Sequence, residues 1–249
     1  MRILTNRNAA IAKHVKKLGK SKSYRDEHGE FLCVGDKLFV EALSNDVEIV
    51  AIITSKELKH KVADNVRCYS AHDSIIDSLS PMQNSQGLIF TCKFPKMNIV
   101  EFGSGTHILL DCIQDPGNLG TIIRSALAFG IGTVLLTDGC ADLYNPKTVR
   151  ATMGAMFKQR VVHVTPGEIS DLKLSGLKFI GASNSCDSID IGNASLTNSV
   201  VVLGSEGQGI SDYLLEICDE LIRIPISPNA ESLNVSTAAS IIMWEANKY

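Results

Sequence analysis

The sequence predicts an α/β fold in two parts. The N-terminal, or front, part is a small α/β unit, and the C-terminal, or rear, part is built on a larger, mostly parallel sheet. Apolar runs of strand length alternate with helical segments along most of the 249 residues. After His107 the strand-like runs are almost continuously apolar, as parallel strands buried on both faces are. Between the two parts lies a stretch with Pro95, Gly103 and Gly105, which is typical of a linker.

Four strand-like runs with helical segments between them predict the front unit. The runs are Phe31–Val34, Ile49–Ile53, Val66–Tyr69 and Gly87–Phe90, and the helical segments include 37–43 and 74–79. We therefore predict a first domain over residues 1–95, followed by a linker over 96–106.

The rear part repeats the strand and helix alternation more regularly and is predicted as a domain over residues 107–249. Its predicted strands are 107–113, 133–137, 160–164, 178–182, 199–203 and 221–226, and its predicted helices include 117–130, 145–153, 210–218 and 233–247. Ligands of parallel sheets bind beyond the carboxyl ends of the strands. Each of the three loops singled out below lies at such an end.

Composition narrows the class of protein. The chain is 45% hydrophobic and 20% charged, and no apolar run reaches the roughly 18 residues of a membrane span. Residues 1–8 lack the apolar core of a secretory signal. Its seven cysteines form no C-x-x-C pair, so neither a zinc site nor a disulfide framework is favoured. We expect a cytoplasmic protein that binds no metal and no membrane.

The first 25 residues are strongly basic. They hold eight Lys and Arg and no acidic residue, whereas the remainder holds 16 basic and 27 acidic residues. Lysines at helical spacing share one face, which predicts contacts with RNA phosphates. The predicted RNA-binding residues are Lys13, Lys16, Lys17, Lys20 and Arg25. A solvated helix face remains an alternative.

The stretch "DCIQDPGNLGTIIRSALAFG" begins as a strand and continues as a helix. We interpret residues 115–118 as a turn between the two. The helix is expected to carry Arg124 inward beside Ile122 and Ile123. A structural salt bridge would explain this arginine if it stood alone.

The second unusual loop is "VVLGSEGQGIS", where a strand leads through residues 204–209 into a helix. It matches neither the G-x-G-x-x-G pattern of dinucleotide-binding loops nor the Gly-Lys-Ser/Thr of a nucleoside-triphosphate loop. Its glycines allow close approach of a ligand, although a tight turn between strand and helix would also need them.

The third is "RIPISPNAESLNVSTAASIIMWE". The segment 224–226 is predicted to end a strand, and Ser232 to cap the next helix. Capping by Ser232 leaves Asn234 without an explanation.

Together these stretches resemble a known family. "DPGNLGTIIRSALAFG", "VLGSEGQGIS" and "IPISPNAESLNVSTAAS" are similar, in order and spacing, to motifs 1, 2 and 3 of the SpoU (TrmH) family of RNA 2′-O-methyltransferases, in the SPOUT superfamily. "YNPKTVRATMGAMF" fits between the first two. The similarity spans residues 107–245, and the front part resembles the family's L30-like RNA-binding domain.

The resemblance implies a C-terminal trefoil knot, S-adenosylmethionine as the methyl donor, and a homodimer whose active site draws on both subunits. It assigns the cofactor to Gly204, Glu206, Gly207, Ile224, Pro225, Ser232, Leu233 and Asn234. It assigns catalysis to Asn118, Arg124 and Glu206. Because arginine resists deprotonation, we expect Arg124 to orient a phosphate and stabilise developing alkoxide charge. Glu206 is expected to orient Arg124 or its loop.

We therefore predict an S-adenosylmethionine-dependent ribose 2′-O-methyltransferase that acts on structured RNA, with large-subunit rRNA favoured by the L30-like front part. Two alternatives stay open. One is a tRNA 2′-O-methyltransferase, and the other is a non-enzymatic RNA-binding assembly factor on the same fold. The second would predict loss of Asn118, Arg124 or Asn234, and all three are present.

Overall fold

The computed structural model describes residues 1–82, 85–95 and 105–248. The described residues form two compact units. The first holds the residues before position 96 together with Asp142–Phe157, and the second holds the rest. Most of the predicted linker, 96–106, lies outside the described residues. The predicted domain limits stay a prediction.

The elements alternate along the chain. The strands are β1 (Arg2–Leu4), β2 (Glu30–Val34), β3 (Ile49–Thr54), β4 (Arg67–Ala71), β5 (Leu88–Lys93), β6 (His107–Leu110), β7 (Val134–Leu136), β8 (Val161–His163), β9 (Lys178–Ala182), β10 (Ile189–Asp190), β11 (Ser199–Leu203) and β12 (Glu220–Arg223). The helices are α1 (Ala10–Lys20), α2 (Lys22–His28), α3 (Asp36–Ser44), α4 (Asp73–Leu79), α5 (Pro116–Ala128), α6 (Pro146–Ala151), α7 (Pro166–Leu174), α8 (Asp212–Ile217) and α9 (Val235–Ala246).

The first unit is built on a mixed sheet of five strands in the order β1-β4-β3-β5-β2. Neighbouring side chains of a strand point to opposite faces, so Leu32 and Phe31 of β2 enter different apolar clusters. The cluster around Leu32 includes Leu18 of α1. The cluster around Phe31 includes Val149 of α6. The segment 142–157 therefore closes one face of this sheet.

The second unit is a seven-stranded sheet in the order β10-β12-β9-β11-β6-β7-β8. All of its strand pairs are parallel. The central strand β11 is buried throughout, as its unbroken apolar sequence predicts. The α/β class with a parallel rear sheet is thus confirmed. Strand order alone does not trace a knot, so the trefoil knot stays a prediction.

Several element bounds differ from expectation. Strand β6 ends at Leu110, because Asp111 and Cys112 turn the chain and Cys112 has a φ of 55°. Strand β12 ends at Arg223, before Pro225, which has no amide hydrogen to donate. Helix α7 was missed, although Thr165 and Glu168 form a capping box at its start. Among the helices of the described residues, none has the length and low polarity that crossing a bilayer requires.

Candidate active site

Loops at the carboxyl ends of β9, β11 and β12 enclose a cavity of about 350 Å³ in the second unit. Its wall combines backbone from the glycine loop, defined as residues 204–209, with apolar side chains of α9 such as Ala238 and Ile242. A size of this order suits a cofactor, and an apolar wall with a few polar groups is typical of such sites. The position fits the rule that parallel sheets bind ligands at this edge.

The glycine loop is held in a closed shape by its own backbone. The amide of Ser205 donates to the carbonyl of Gly209 at 3.1 Å, and the reverse bond measures 2.9 Å. A Cβ on Gly204 would lie 2.0 Å from the carbonyl carbon of Gly209. No side chain fits in that space, so the closed loop requires glycine at position 204.

Three side chains, one from each motif, are joined by hydrogen bonds: Asn118, Glu206 and Asn234. Glu206 Oε1 accepts hydrogen bonds from the side-chain amides of Asn118 at 3.2 Å and Asn234 at 2.7 Å. The same oxygen accepts from the backbone amide of Val235 at 3.2 Å. Asn234 also donates to Asn118 Oδ1 at 3.1 Å. We call Asn118, Glu206 and Asn234 the three-residue network; it fixes the glycine loop against the starts of α5 and α9.

Asn234, not Ser232, is the N-cap of α9, which corrects the prediction. Its Oδ1 accepts from the backbone amide of Ser236 at 2.9 Å. One side chain therefore caps the helix with its oxygen and holds Glu206 with its nitrogen. This double use explains the polar residue at a position that the sequence left unexplained. In the same way Asp115 caps α5 by accepting from the amide of Asn118 at 2.7 Å.

The predicted cofactor residues divide into two groups. Five of them line the cavity: Gly204, Glu206, Ile224, Ser232 and Leu233. The other three, Gly207, Pro225 and Asn234, are exposed and do not line it. Within the described residues, no three His, Cys, Asp or Glu side chains are grouped as metal ligands.

The sequence reasoning missed part of the cavity wall. Residues 182–184, at the end of β9, contribute to it. The rule on carboxyl ends of parallel strands would have found them. The short segment lacks the glycines that drew attention to the loop after β11.

Asp111 was also missed, and it holds both ends of the glycine loop. Its carboxylate accepts from the amide of Ser211 at 2.8 Å and from the hydroxyl of Thr137 at 3.2 Å. Its own amide donates to the carbonyl of Leu203 at 2.8 Å. Leu203 directly precedes the loop, and Ser211 is the second residue after it. Asp111 is only 4% exposed, so these bonds are shielded from water.

Arg124 lies on the exposed face of α5, which corrects the expectation that it points inward. Thr121 and Ala128 share that face, while Ile122 and Ile123 are buried. Asn118 is displaced from Arg124 by about 120° around the helix and about 9 Å along it. Arg124 does not line the cavity, and it forms no hydrogen bond or ion pair with the residues that the structure describes. Glu206 therefore does not orient Arg124 within this chain.

In the first unit, α1 presents its lysines away from the core. Lys13, Lys17 and Lys20 are exposed and Lys16 is half-buried. Arg25 is different, because it is 3% exposed and bonds the carbonyl of Leu18 and the carboxylate of Asp142. Its predicted contact with RNA is therefore wrong for this structure, since its guanidinium is already paired inside the unit.

A polar cluster anchors α1 to the sheet. Burial raises the pKa of Glu30, but hydrogen bonds from His14 and Lys93 outweigh it and lower that pKa to about 2. His14 lies 3.0 Å from Glu30, and Lys93 donates to Glu30 at 2.9 Å. The other nitrogen of His14 lies 3.0 Å from the hydroxyl of Tyr24. The helix that carries the lysines is thus fixed in orientation by an ionised carboxylate.

Comparisons with known proteins agree with this geometry. A family model described as the SpoU rRNA Methylase family matches residues 105–244. A second, described as an MRM3-like substrate binding domain, matches residues 8–89. The chain is 32% identical to the 23S rRNA (guanosine(2553)-2′-O)-methyltransferase RlmP of Bacillus subtilis, over 90% of this chain and 91% of that protein. It is 28% identical to the mitochondrial rRNA methyltransferase 3 of Mus musculus, over 92% of this chain and 70% of that protein.

Solved structures share the fold over nearly the whole chain. The AdoMet-bound rRNA methyltransferase from Sinorhizobium meliloti superposes with a TM-score of 0.91 at 25% identity, covering 99% of this chain and 97% of that one. The SpoU methyltransferase AviRb from Streptomyces viridochromogenes, in complex with AdoMet, gives 0.87 at 23% identity, covering 97% and 98%. At this lower identity, the similarity to AviRb shows a shared fold only.

Proposed function

The chain belongs to the SpoU rRNA methylase family, and we propose on that premise that it transfers a methyl group from S-adenosylmethionine to a ribose 2′-hydroxyl of large-subunit rRNA. The observation that carries the proposal is the three-residue network. Asn118, Glu206 and Asn234 come from three distant parts of the chain and meet beside a cofactor-sized cavity. Relatives named as 23S and mitochondrial rRNA methyltransferases support the choice of RNA.

The cavity fits the cofactor by its chemistry. The glycine loop exposes backbone to the cavity, and Ile224 and Leu233 add apolar surface for an aromatic base. S-adenosylmethionine, held by the glycine loop, Ile224 and Leu233, would supply an activated methyl group on a cationic sulfur. The protein's task is to position the two reactants, and the three-residue network holds the loops that do so.

Arg124 is proposed to serve the active site of a partner subunit in a homodimer. It lies on the exposed face of α5, turned away from Asn118, and lines no part of the cofactor cavity of its own chain. Helices α5 and α9 pack side by side, with Ser125 and Ser240 hydroxyls 2.8 Å apart. Both helices expose a large apolar side chain, Leu127 at 37% and Trp244 at 51%. Exposed apolar residues beside a cation with no partner among the described residues favour a protein partner at this face.

The first unit is proposed to grip the RNA backbone through the exposed lysines of α1. Phosphate contacts of this kind set affinity and orientation without reading sequence. We place the enzyme in the cytoplasm, where newly made rRNA of a bacterial cell is found; rRNA methyltransferases of bacteria among its relatives support this placement.

The proposal is tested by mapping 2′-O-methyl groups in total RNA from cells with and without this gene. We expect one large-subunit rRNA position to lose its methyl group and to regain it when the gene is restored. A lost position in tRNA would favour the tRNA alternative, and an unchanged map would favour the assembly factor. Calorimetry completes the test, because S-adenosylmethionine should bind equally well with and without a metal chelator.

A further inference from the structure

A second cavity lies beside the cofactor cavity in the same unit. It has a volume of about 410 Å³ and opens between the loop after β6 and the glycine loop. Four residues line both cavities: Ser205, Glu206, Gln208 and Val235. The two cavities therefore share one wall, and Glu206 of the three-residue network is part of it.

The lining of the second cavity, as far as the structure describes it, combines amide and carboxylate groups with the apolar side chains of Ile113 and Val235 and carries no cation. It includes the amides of Gln114, Asn118 and Gln208 and the carboxylates of Asp115 and Glu206. Among the described residues no lysine or arginine lines it, so the lining favours a neutral group over a phosphate. Carboxylates accept hydrogen bonds from hydroxyl groups, and side-chain amides both donate and accept. These groups suit a sugar and the edge of a base.

Cys112 adds a further uncharged group to the lining of the second cavity. It lines the second cavity, and its Sγ donates to the carbonyl of Asp138 at 3.3 Å. Burial, with the charge of Asp111 beside it, raises the pKa of this thiol above its usual value. Cys112 therefore stays a neutral thiol near pH 7.

We propose that the second cavity receives the target nucleoside of the RNA, with Gln114 contacting its base or sugar. The inference rests on the proposed function and deepens it. A methyl acceptor must lie next to the methyl donor, and this cavity adjoins the cofactor cavity through a shared wall. The uncharged nucleoside enters the second cavity. The phosphates of the same nucleotide stay outside it, where cations can bind them.

A substitution at Gln114 tests the second cavity without altering the lining of the cofactor cavity. Gln114 lines the second cavity and not the first, and it is exposed. Its amide makes no hydrogen bond with the described residues, so replacing it breaks no hydrogen bond among them. Asn193 is the matched control, because it is an exposed amide of the same unit that lines neither cavity.

The first test measures methyl transfer to rRNA isolated from cells that lack this gene. We expect Gln114→Ala to lower kcat/KM for RNA on the order of tenfold, the value of one or two hydrogen bonds. Gln114→Glu, which removes the amide donor, should not restore it. The Kd of S-adenosylmethionine should change less than twofold, and Asn193→Ala should match the parent. Parental kcat/KM in Gln114→Ala, or an equal loss of cofactor affinity, would overturn the proposal.

The second test does not depend on turnover by the variant. A photoreactive Gln114→p-azidophenylalanine variant is irradiated with the same rRNA and cofactor, and the cross-link is mapped by reverse-transcription stops. We expect the cross-link within one nucleotide of the position that loses its methyl group in the gene-deleted cells. A cross-link at a distant nucleotide, or one equal to that of Asn193→p-azidophenylalanine, overturns the nucleoside site. An unchanged methylation map instead contradicts the proposed function.

Discussion

At the scale of single residues, three side chains of the site hold loops to one another, and a fourth makes no hydrogen bond or ion pair with the described residues. Asn118, Glu206 and Asn234 satisfy one another, whereas Arg124 is exposed and unpaired among the described residues. Removing a residue of the first kind disturbs the loop that it holds. Removing the Arg124 side chain breaks no hydrogen bond among the residues that the structure describes.

Arg124→Ala is expected to keep the fold and the affinity for S-adenosylmethionine, and to lose activity on the order of 10²–10³-fold, as when one preorganised charge stabiliser is removed. Arg124→Lys should recover little, because lysine lacks the forked donors. Methyl transfer, calorimetry and thermal melting measure the three quantities. A fully active lysine variant, or an alanine variant that unfolds, would return Arg124 to a structural role.

Asp111→Ala is expected to raise the Kd of S-adenosylmethionine about tenfold, because the chain after the glycine loop loses the carboxylate bond to the amide of Ser211, while the backbone bond to Leu203 remains. Removal of one buried bond costs about 1–3 kcal/mol. Asp111→Asn keeps one oxygen acceptor and should restore most of the affinity. Asp219→Ala is the control, because Asp219 accepts from the amide of Phe179 at 2.8 Å and lines neither cavity. Equal cofactor affinity in Asp111→Ala and Asp219→Ala would show that Asp111 only stabilises the fold.

At the scale of elements, the glycine loop excludes a side chain at one of its glycines and leaves room for one at another. Its closed shape depends on the approach of Gly204 to Gly209. A Cβ on Gly207 would meet no atom within 4 Å. A side chain is therefore excluded at position 204 and has room at position 207.

Gly204→Ala is expected to abolish binding of S-adenosylmethionine in calorimetry, because a methyl group cannot fit 2.0 Å from backbone. Gly207→Ala should bind within a few-fold of the parent, because its Cβ enters open space. The pair is matched in residue type and loop. Equal losses in both variants would mean that the loop opens when the cofactor binds.

Helix α1 has one buried apolar face and one solvent-exposed basic face. Ile11, Val15 and Leu18 are buried, and Lys13, Lys17 and Lys20 face solvent. Replacing Lys13, Lys16, Lys17 and Lys20 by Gln should weaken RNA binding and reduce the log–log salt slope by about one unit for each phosphate that is no longer neutralised. Cofactor affinity should not change, and Lys248→Gln, on the second unit, should leave both quantities at the parental value. An unchanged slope would identify α1 as a solvated face.

At the scale of the whole molecule, the proposed homodimer makes a prediction that no single chain can satisfy. Arg124→Ala subunits lack the cation, and Asn234→Ala subunits lose the bond to Glu206. If Arg124 serves the partner's cofactor site, a mixed dimer contains one site with both residues. We expect mixing and refolding the two inactive variants to restore up to about a quarter of parental activity, since random pairing makes half of the dimers mixed, each with one intact site of two. Activity that stays at the background of the separate variants would assign Arg124 to its own chain's site.

The sequence by itself determined the α/β class, the parallel rear sheet and the three motifs, because these follow from local patterns such as strand hydrophobicity, glycine spacing and capping residues. Tertiary structure alone decided what the motif residues touch. Glu206 and Asn118 are 88 positions apart and still share a hydrogen bond. Arg124 and Arg25 were both misplaced by sequence reasoning, since exposure depends on which faces other elements cover. The burial of Arg25 needs Asp142, 117 positions away, and no local pattern contains that partner.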